Sequence, residues 1–351
     1  MKKGDFSKKL IEWYDDHHRD LPWRNTQDAY KIWLSEIILQ QTRVAQGLPY
    51  YKKFIRHYPN INSLAEAKEQ EVLRLWQGLG YYARARNLVK CAREVVTNYA
   101  GKFPGTFQEL KKLPGIGDYT AAAIASFAFG EPAAVVDGNV YRVLSRIFGI
   151  DKNIASLEGK KFFSALANEL IPADQPGTYN QSVMEFGARH CLPQNPKCDN
   201  CIFKKNCIAF QQETIGLLPS KIKRQKKIKR YFNYFLIRIG DKILMSERKG
   251  KDIWKGLFDF PLLETKHKKV AGDILRKEFP LECSSYISND YKHILTHQLI
   301  YVRFMEFNWP AGKKPPSAPL LAKARLLSLK QIEKAPKPIL IARYLEERGI
   351  L

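Results

Sequence analysis

The sequence has no long apolar run. None of its runs approaches the roughly 18 residues that a membrane-spanning helix needs, so we expect no membrane-spanning helix. The basic start Met1–Lys9 leads into Glu12, Asp15 and Asp16 rather than an apolar core, so we expect no secretory signal peptide. We therefore expect a cytoplasmic, nucleoid-associated protein with no membrane partner.

Acidic residues are scarce beside basic ones. The chain has 35 Asp and Glu against 58 Lys and Arg, a formal net charge of +23 in 351 residues. A basic balance can serve solubility alone, but an excess this large favours a polyanionic partner, and nucleic acid is the first candidate. Charge by itself does not separate DNA, RNA and the ribosome. The apolar share of 45% excludes wholesale disorder.

Cysteine is also sparse, and its placement is uneven. Four of the six cysteines fall within seventeen residues at the spacing C-x6-C-x2-C-x5-C, and they are Cys191, Cys198, Cys201 and Cys207. A disulfide framework is improbable in a cytoplasmic chain of this size. Four thiolates this close indicate a closed metal site, either tetrahedral zinc or a [4Fe–4S] cluster, and the spacing alone does not choose between them. Cys91 and Cys283 are interpreted as ordinary thiols.

The length and the apolar pattern indicate two domains. Residues 1–215 show helical periodicity and no convincing strand before the cysteines. The predicted helices are Phe6–Tyr14, Ala29–Gln41, Val44–His57, Glu69–Leu79, Ala83–Tyr99, Thr120–Phe129, Val140–Gly149 and Gly159–Leu170. A linker is predicted over 216–230, where Lys221–Arg230 holds seven basic residues in ten and no acid. Such a run is often only a solvated surface, but next to a basic domain it favours phosphate contact.

Residues 231–351 change in character, and we expect a smaller α+β domain there. Tyr231–Ile239 is aromatic and β-branched, Gly240-Asp241 forms a two-residue turn, and Lys242–Glu247 follows as the second strand of a hairpin. Gln298–Phe307 is predicted as a further strand. Helices are predicted over Val270–Phe279 and Pro338–Arg348.

A glycine-rich turn lies between two predicted helices, in Leu113-Pro-Gly-Ile-Gly-Asp-Tyr-Thr-Ala121. Its glycines let backbone amides approach a phosphate in front of a helix N-terminus. Asp118 or Thr120 is expected to cap that helix. The form L-P-G-x-G is typical of a helix-hairpin-helix, which anchors a DNA backbone without reading sequence. A plain connection between helices is the weaker alternative.

Two carboxylates stand out near this turn. Asp137, in Val136-Asp-Gly-Asn-Val140, is expected to be a helix N-cap, and the helix dipole should keep it ionised so that it can stabilise a sugar cation. Glu36 lies in the almost wholly apolar stretch Trp33–Thr42. Burial would raise its pKa and make it a general acid. The alternative is a polar helix face shared by Ser35, Glu36 and Gln40.

Taken together, these motifs resemble the endonuclease III superfamily of base-excision DNA glycosylases. The adenine-specific MutY family is the branch they match in detail. The matching stretches are Leu21-Pro-Trp-Arg24, Trp33-Leu-Ser-Glu-Ile-Ile-Leu-Gln-Gln-Thr42, Gly78-Leu-Gly-Tyr-Tyr-Ala-Arg-Ala-Arg86, Val136-Asp-Gly-Asn139 and Trp254-Lys-Gly-Leu-Phe-Asp-Phe-Pro261. The resemblance implies a mostly α helix-hairpin-helix glycosylase domain with an iron–sulfur loop, followed by an α+β MutT-like (Nudix-like) domain. It also implies a six-helix module over about 29–136 and a cluster module from 1–28 and 137–215.

The resemblance further implies that adenine mispaired with 8-oxoguanine is flipped from duplex DNA and removed. Glu36 would protonate adenine N7. Asp137 would stabilise the oxocarbenium ion or bond transiently to the sugar. Asn139 and Tyr119 would orient the site. The endonuclease III branch has a Schiff-base lysine where this chain has Tyr119, so we expect a monofunctional glycosylase. The alternatives are a bifunctional glycosylase/AP lyase and a non-catalytic lesion-binding protein.

The resemblance also assigns cofactor and DNA contacts. Between zinc and an iron–sulfur cluster, it favours a [4Fe–4S] cluster bound by the four clustered cysteines. It also implies that Lys197, Lys204 and Lys205 face phosphate. DNA contacts are expected at Arg24, Gln41, Thr42, Tyr81, Arg86, Leu113, Gly115, Gly117, Thr120, Thr296 and His297. Gln41 and Tyr81 would wedge into the duplex near the lesion, although a helix-surface amide and a packed aromatic are their plain alternatives.

In the C-terminal domain, Leu295, Thr296 and His297 stand where the family has Phe-Ser-His. Thr296 retains the hydroxyl that would read 8-oxoguanine, whereas Leu295 loses the ring. The stretch Gly272–Phe279 does not supply the metal-binding helix of a Nudix hydrolase, so no pyrophosphatase activity is expected. The protein is expected to act as a monomer, with replication and repair proteins as further partners by family analogy.

Overall fold

The computed structural model describes residues 3–220, 227–267, 284–310 and 319–351. The chain divides into two compact units. The first takes in Met1–Glu66 and Asn87–Lys223, and the second takes in Ala67–Arg86 and Arg224–Leu351. Residues 67–86 therefore group with the C-terminal part of the chain, although they lie inside the helical region predicted over 1–215. No helix in the described ranges combines the length and the apolarity that a bilayer crossing demands.

Residues 3–220 contain helices and no strand, as predicted. The helices are α1 Lys3–His17, α2 Ala29–Leu39, α3 Val44–His57, α4 Ile61–Glu66, α5 Glu69–Leu75, α6 Ala83–Asn98, α7 Phe107–Leu110, α8 Asp118–Phe129, α9 Gly138–Ile147, α10 Leu157–Leu170, α11 Pro176–Arg189 and α12 Ile208–Gln211. All eight predicted helices are confirmed, with shifts at their ends. Helices α4, α7, α11 and α12 were not predicted, and α11 carries Asn180 and Glu185.

A side-chain cap marks the start of helix α2, and a left-handed residue follows its end. The side chain of the N-cap Asp28 accepts a 2.9 Å hydrogen bond from the backbone N–H of Tyr30. The helix ends at Leu39, and Gln41 has a left-handed φ of 57°. The predicted helix end at Gln41 is therefore wrong by two residues, because a left-handed backbone cannot continue a right-handed helix.

The core of the first unit joins α1, α9, α10 and α11. Phe6 on α1 packs edge-on against Tyr179 of α11, with ring centroids 6.4 Å apart. Phe186 of α11 and Phe203, which lies between two cysteines, are both fully buried in the same cluster. Burial of each large aromatic side chain contributes roughly 2–3 kcal/mol. This packing fixes α9, which Asp137 caps, and the end of α11, after which the cysteine segment begins.

The strands of the described residues form one mixed sheet in the second unit. They are β1 Ile228–Ile239, β2 Lys242–Glu247, β3 Phe258–Asp259, β4 Leu262–Thr265, β5 Ser284–Ile287, β6 Tyr291–Ile294, β7 Gln298–Trp309 and β8 Arg325–Ser328. Along the main path the order is β3-β2-β1-β7-β5. Strands β1 and β7 run parallel from the pair Ile228–Gln298 to the pair Ile239–Trp309, and the other pairs are antiparallel.

The predicted hairpin of β1 and β2 is confirmed, with Gly240 in its turn at a φ of 60°. The predicted strand at Gln298 is β7. The predicted C-terminal helix is α14, Ile339–Glu347, which follows α13, Leu329–Lys334. Strands β3, β4, β5, β6 and β8 were not predicted. The predicted helix Val270–Phe279 and most of the basic run of the linker lie outside the described residues.

Candidate active site

Glu36 is buried in α2, as its apolar flanks predicted. Its side chain is 6% exposed, and its Oε2 accepts a 2.8 Å hydrogen bond from the hydroxyl of Tyr119. Burial raises the pKa of Glu36 to about 7; the negative charge of Asp137 adds to the rise, and the Tyr119 hydrogen bond and the charge of Arg24 oppose it. A carboxyl with a pKa near 7 can donate a proton at neutral pH. The alternative of a solvent-facing polar helix surface is wrong, because Ser35 is fully buried as well.

Asp137 caps α9, as predicted. Its Oδ1 accepts from the backbone N–H groups of Asn139 and Val140, both at 2.8 Å. Its Oδ2 accepts from the Asn139 side-chain amide, also at 2.8 Å. The helix N-terminus is not the only influence on this carboxyl. Burial raises the pKa of Asp137, and the hydrogen bonds from Val140 and Asn139 and the charge of Arg142 only partly offset it.

Asn180 of α11 holds the extended segment that leads to Asp137. Its side chain is fully buried, accepts from the backbone N–H of Val135 at 3.0 Å, and donates to the carbonyl of Ala133 at 2.8 Å. It also donates to the hydroxyl of Ser126 in α8 at 2.9 Å. A segment with no helix or strand partners thus has its backbone groups satisfied by a side chain.

Arg24 belongs to a buried ion-pair network rather than to the surface. Its guanidinium donates to Oε2 of Glu185 at 2.8 Å, and Arg19 donates to the same carboxylate through two nitrogens, at 2.7 and 2.6 Å. Burial alone would raise the pKa of Glu185, but the hydrogen bonds from Arg19 and Arg24 outweigh it and lower the pKa to about 2. Glu185 is therefore ionised at neutral pH.

One cleft in the first unit brings these groups together. Its lining includes Glu36, Tyr119, Asp137, Asn139, Arg24, Thr42, Arg142 and Glu185. The cleft thus combines a proton donor, an N-cap carboxylate and an ion-paired carboxylate. Sequence reasoning missed Glu185 because it missed α11. The signal that found Glu36, a single acid among apolar neighbours, was present in Val183-Met-Glu-Phe186 as well.

The glycine-rich turn has the backbone form of a phosphate anchor. Gly115 has a φ of 79°, and a Cβ there would lie 2.7 Å from Cβ of Asn87. Gly117 is the N-cap of α8, and no side chain caps this helix, so the expected cap at Asp118 or Thr120 is wrong. Leu113 and Thr120 are buried, and the Thr120 hydroxyl accepts from Gln40 at 3.1 Å. Any contact of Leu113 or Thr120 with DNA must therefore use their backbone.

The four clustered cysteines line one pocket in the first unit, together with Arg146 and His190. Arg146 is 3% exposed, and its guanidinium donates to Sγ of Cys191 at 3.5 Å and to the carbonyls of Leu192, Pro193 and Leu218. Arg142 donates to the carbonyl of Cys191 at 2.7 Å. Among the described residues, no group of three or more His, Cys, Asp or Glu side chains is arranged as a metal-binding set.

Comparison with known proteins shows the family to which this chain belongs. Residues 34–171 match the model of the HhH-GPD superfamily base excision DNA repair protein, and residues 233–347 match the model of the NUDIX domain. An adenine DNA glycosylase of Buchnera aphidicola subsp. Schizaphis graminum is 37% identical over 266 residues, which cover 76% of this chain and 77% of that protein. This chain belongs to the adenine DNA glycosylase family. It is therefore a hydrolase of base excision repair that acts on DNA.

Solved structures support the fold of this adenine DNA glycosylase. A thermostable thymine-DNA glycosylase is 32% identical and superposes with a TM-score of 0.56, covering 60% of this chain and 97% of its own. An endonuclease III–DNA complex, at 24% identity and a TM-score of 0.52, covers 61% of this chain and 98% of its own, and it supports the fold alone.

The second unit of this adenine DNA glycosylase contains a further pocket, where several predicted DNA contacts meet. Its lining includes Tyr81, Arg86, Thr296 and His297. The hydroxyls of Tyr81 and Thr296 are hydrogen-bonded to each other. Tyr81 has a left-handed φ of 48°. The guanidinium of Arg86 donates to the carbonyl of Lys255 at 2.8 Å. The structure thus brings together Tyr81 and Thr296, for which two different stretches of the sequence predicted contacts near 8-oxoguanine.

Proposed function

We propose that this enzyme removes adenine that stands opposite 8-oxoguanine, or opposite guanine, in duplex DNA. The observation that carries the proposal is the buried Glu36, whose pKa of about 7 leaves it protonated in part at neutral pH, in one cleft with Asp137. An adenine inside a duplex cannot reach a buried carboxyl. The base must therefore be flipped out of the helix and into this cleft.

The chemistry divides between the two carboxylates. Glu36 gives its proton to adenine N7, so that the bond between N9 and the sugar C1′ breaks with its electron pair leaving on a neutral base. The Asp137 carboxylate stabilises the positive charge that develops on the sugar. A water oxygen then bonds to C1′, and the proton it releases restores Glu36. Asn139 holds Asp137 through its side-chain amide, and Tyr119 holds Glu36.

We propose a monofunctional glycosylase that leaves the strand intact. A lyase of the endonuclease III type needs a lysine amine to form a Schiff base with the sugar. This chain has Tyr119 at the matching position, and its hydroxyl is engaged with Glu36 at 2.8 Å. Borohydride reduction during turnover should trap no enzyme–DNA adduct. A high yield of adduct would favour the bifunctional alternative.

We propose that the cysteine pocket holds a [4Fe–4S] cluster. Arg146 is buried, and among the described residues it pairs with no carboxylate, only with carbonyls and the Cys191 sulfur. A buried cation of this kind requires a negative partner, and four thiolates around an iron–sulfur core carry net negative charge. Cys191, Cys198, Cys201 and Cys207 would hold the cluster, whose contribution is to order the loop between them. Lys197 and Lys205 on that loop are exposed and would contact phosphate.

The colour and the metal content of the purified protein distinguish an iron–sulfur cluster from zinc. An iron–sulfur protein is brown, with broad visible absorbance and about four irons and four sulfides per chain. Zinc is d¹⁰ and gives a colourless protein. One zinc per chain and no iron would overturn this assignment.

The second unit would check the base opposite adenine. Thr296 and His297 are exposed at the turn between β6 and β7, and Tyr81 is 49% exposed, so all three are available to DNA. Gln41, with its left-handed backbone, is exposed in the first unit and would enter the duplex beside the mispair. The hairpin at Gly115 and Gly117 would hold the phosphate backbone.

The test is single-turnover adenine release from duplexes that differ only in the opposite base. We expect release from 8-oxoguanine:A to be fastest, release from G:A to follow, and C:A and T:A to react little. Equal rates on all four duplexes would contradict the opposite-base proposal and leave the glycosylase assignment standing. Because its substrate is chromosomal DNA, we place the enzyme in the cytoplasm at the nucleoid, acting as a monomer, with replication and repair proteins as further partners.

A further inference from the structure

Besides the segment that includes Tyr81 and Arg86, the pocket of the second unit has two walls that belong to different parts of its sequence. One is the loop Asp252–Trp254, and the other is the turn His293–Gln298, which carries Thr296. We propose that Arg230 is a positioning residue, which holds these two walls in one geometry so that the pocket distinguishes 8-oxoguanine from guanine. This inference rests on the proposed function of the pocket as the reader of the opposite base.

Arg230 contacts both walls directly. Its guanidinium donates to both oxygens of Asp252, at 2.9 and 2.8 Å, and so binds the loop. It also donates to Oε1 of Gln298 at 3.2 Å, and so binds the residue two positions beyond Thr296. A second bidentate pair, at 2.7 Å for each bond, joins it to Glu264 on β4. A planar guanidinium can satisfy two carboxylates in this way, whereas a lysine ammonium cannot.

Arg248 completes the support of the loop wall. It donates to Asp252 at 3.0 Å, to the carbonyl of Ile253 at 3.1 Å, and to the buried Asp259 at 2.9 Å. Both guanidiniums stack on the ring of Phe232, Arg230 at 4.7 Å and Arg248 at 5.9 Å from its centroid. The loop is thus bound at Asp252 by two arginines that share one aromatic platform.

This support is needed because the loop holds Trp254 in an unfavourable backbone conformation. Trp254 has a φ of 61°, a left-handed value that costs a non-glycine residue roughly 1–2 kcal/mol. Its side chain is 8% exposed, and its ring packs edge-on against His293 at 5.6 Å. Trp254 on one wall therefore touches His293 on the other, and a shift of the loop would move both.

The turn that carries Thr296 is also held from β1 and the residue before it. The backbone N–H of Leu295 donates to the carbonyl of Gln298 at 2.9 Å, which joins the two ends of the connection that contains Thr296 and His297. The ammonium of Lys227 donates to the carbonyl of Leu295 at 2.8 Å. Arg230 lies three residues further along the chain, in β1, and binds the other end of the turn at Gln298. Thr296 is therefore positioned from both ends, by Lys227 and by Arg230.

Substitution of Arg230 should change the pocket without unfolding the domain. The side chain of Arg230 is 14% exposed, but those of its partners Asp252 and Glu264 are 37% and 43% exposed. Both acids can therefore be hydrated when the arginine is lost. Arg303→Met is the matched control, because Arg303 is a half-buried arginine of the same sheet that pairs with Asp290 at 2.8 Å and does not line the pocket.

The experiment measures the maximal single-turnover rate and the half-saturating enzyme concentration on 8-oxoguanine:A and G:A duplexes. For Arg230→Met we expect the preference for 8-oxoguanine to fall about tenfold, while the maximal rate on G:A stays at the wild-type value. Arg230→Lys should behave like the methionine variant, because it loses the bidentate hydrogen bonds even though it keeps the positive charge. Arg303→Met should keep the wild-type preference.

Three results would overturn the inference. A full preference in Arg230→Met, or in Arg230→Lys, would show that the geometry set by Arg230 does not matter. An equal loss on both duplexes would indicate a structural role alone. A wild-type enzyme with no preference between the two duplexes would instead refute the proposed function of the pocket, and the inference with it. Thermal unfolding of each variant confirms that a folded protein was assayed.

Discussion

The Tyr119 hydroxyl donates a 2.8 Å hydrogen bond to Oε2 of Glu36, which joins the first turn of α8 to the buried carboxyl of α2. This bond lowers the pKa of Glu36, whereas burial raises it, and burial is the larger effect. The two influences together leave the acid with a pKa of about 7. Glu36 is thereby a stronger proton donor than a buried carboxyl without a partner, yet still protonated in part at neutral pH.

Removal of this hydrogen bond should move the pH dependence of catalysis. Tyr119→Phe takes away an interaction that favours the ionised form of Glu36, so the pKa of Glu36 should rise further. We expect the alkaline limb of the rate of adenine release to shift to higher pH than in the wild type. Single-turnover rates measured across the pH range would show this shift. An unmoved limb would mean that Glu36 is not the group whose protonation limits release.

Glu36 should also make the stability of the fold depend on pH. Because its pKa is about 7 in the folded state against an ordinary 4.5, the folded protein binds a proton that the unfolded chain does not hold between those values. The free energy of unfolding therefore falls as pH rises through this window, by up to about 3 kcal/mol. Glu36→Gln should raise the free energy of unfolding at pH 8 and change it little at pH 4.

Urea unfolding at the two pH values measures this effect. Glu12→Gln is the surface control, since the Glu12 side chain is 62% exposed. A gain in stability from Glu36→Gln that is the same at both pH values would argue against a titrating buried carboxyl.

Asp137→Asn should separate the chemical role of this residue from its structural role. Asparagine is as good an N-cap as aspartate, so α9 should stay capped and duplex binding should stay at the wild-type level. The loss of negative charge should slow adenine release by on the order of 10²- to 10³-fold. Asp28→Asn is the control, because Asp28 caps α2 with a 2.9 Å bond and does not line the cleft. Wild-type release by Asp137→Asn would contradict the proposed stabilisation of the sugar cation.

The two glycines of the hairpin should differ in their tolerance of a side chain. Gly115→Ala places a methyl group 2.7 Å from Cβ of Asn87 on a backbone with a φ of 79°. We expect it to lower the free energy of unfolding by roughly 1–2 kcal/mol and to weaken duplex binding severalfold. Gly117→Ala meets open space at a φ of −98° and should change stability little. Fluorescence anisotropy and urea unfolding measure the two effects. Equal behaviour of the two variants would refute this account of the turn.

Short-range patterns in the sequence predicted much of the candidate cleft. Glu36 stood alone among apolar residues, and its burial follows from that pattern. Asp137 stood before a helix, and it is the N-cap. The spacing of the four cysteines, all within seventeen residues, predicted that they share one site, and they line one pocket. Each of these inferences needs only residues that are near one another in sequence, and helix periodicity and capping operate at that range.

Long-range relationships were not predictable in the same way. Glu185 pairs with Arg19 and Arg24, and both arginines lie more than 160 residues away from it in sequence. Residues 67–86 group with the C-terminal part of the chain. No local signal encodes either relationship. The direction of the pKa shift of Asp137 is not visible in the sequence either, because the burial that raises this pKa is a property of the folded cleft.

The pH dependence of adenine release tests the central claim most directly. With subsaturating enzyme and an 8-oxoguanine:A duplex, the single-turnover rate reports the ionisation of the free enzyme. The account predicts that the rate falls about tenfold per pH unit above about pH 7, as Glu36 loses its proton, while duplex binding stays unchanged. A rate that is flat from pH 6 to pH 9 would contradict the role of Glu36 as the proton donor.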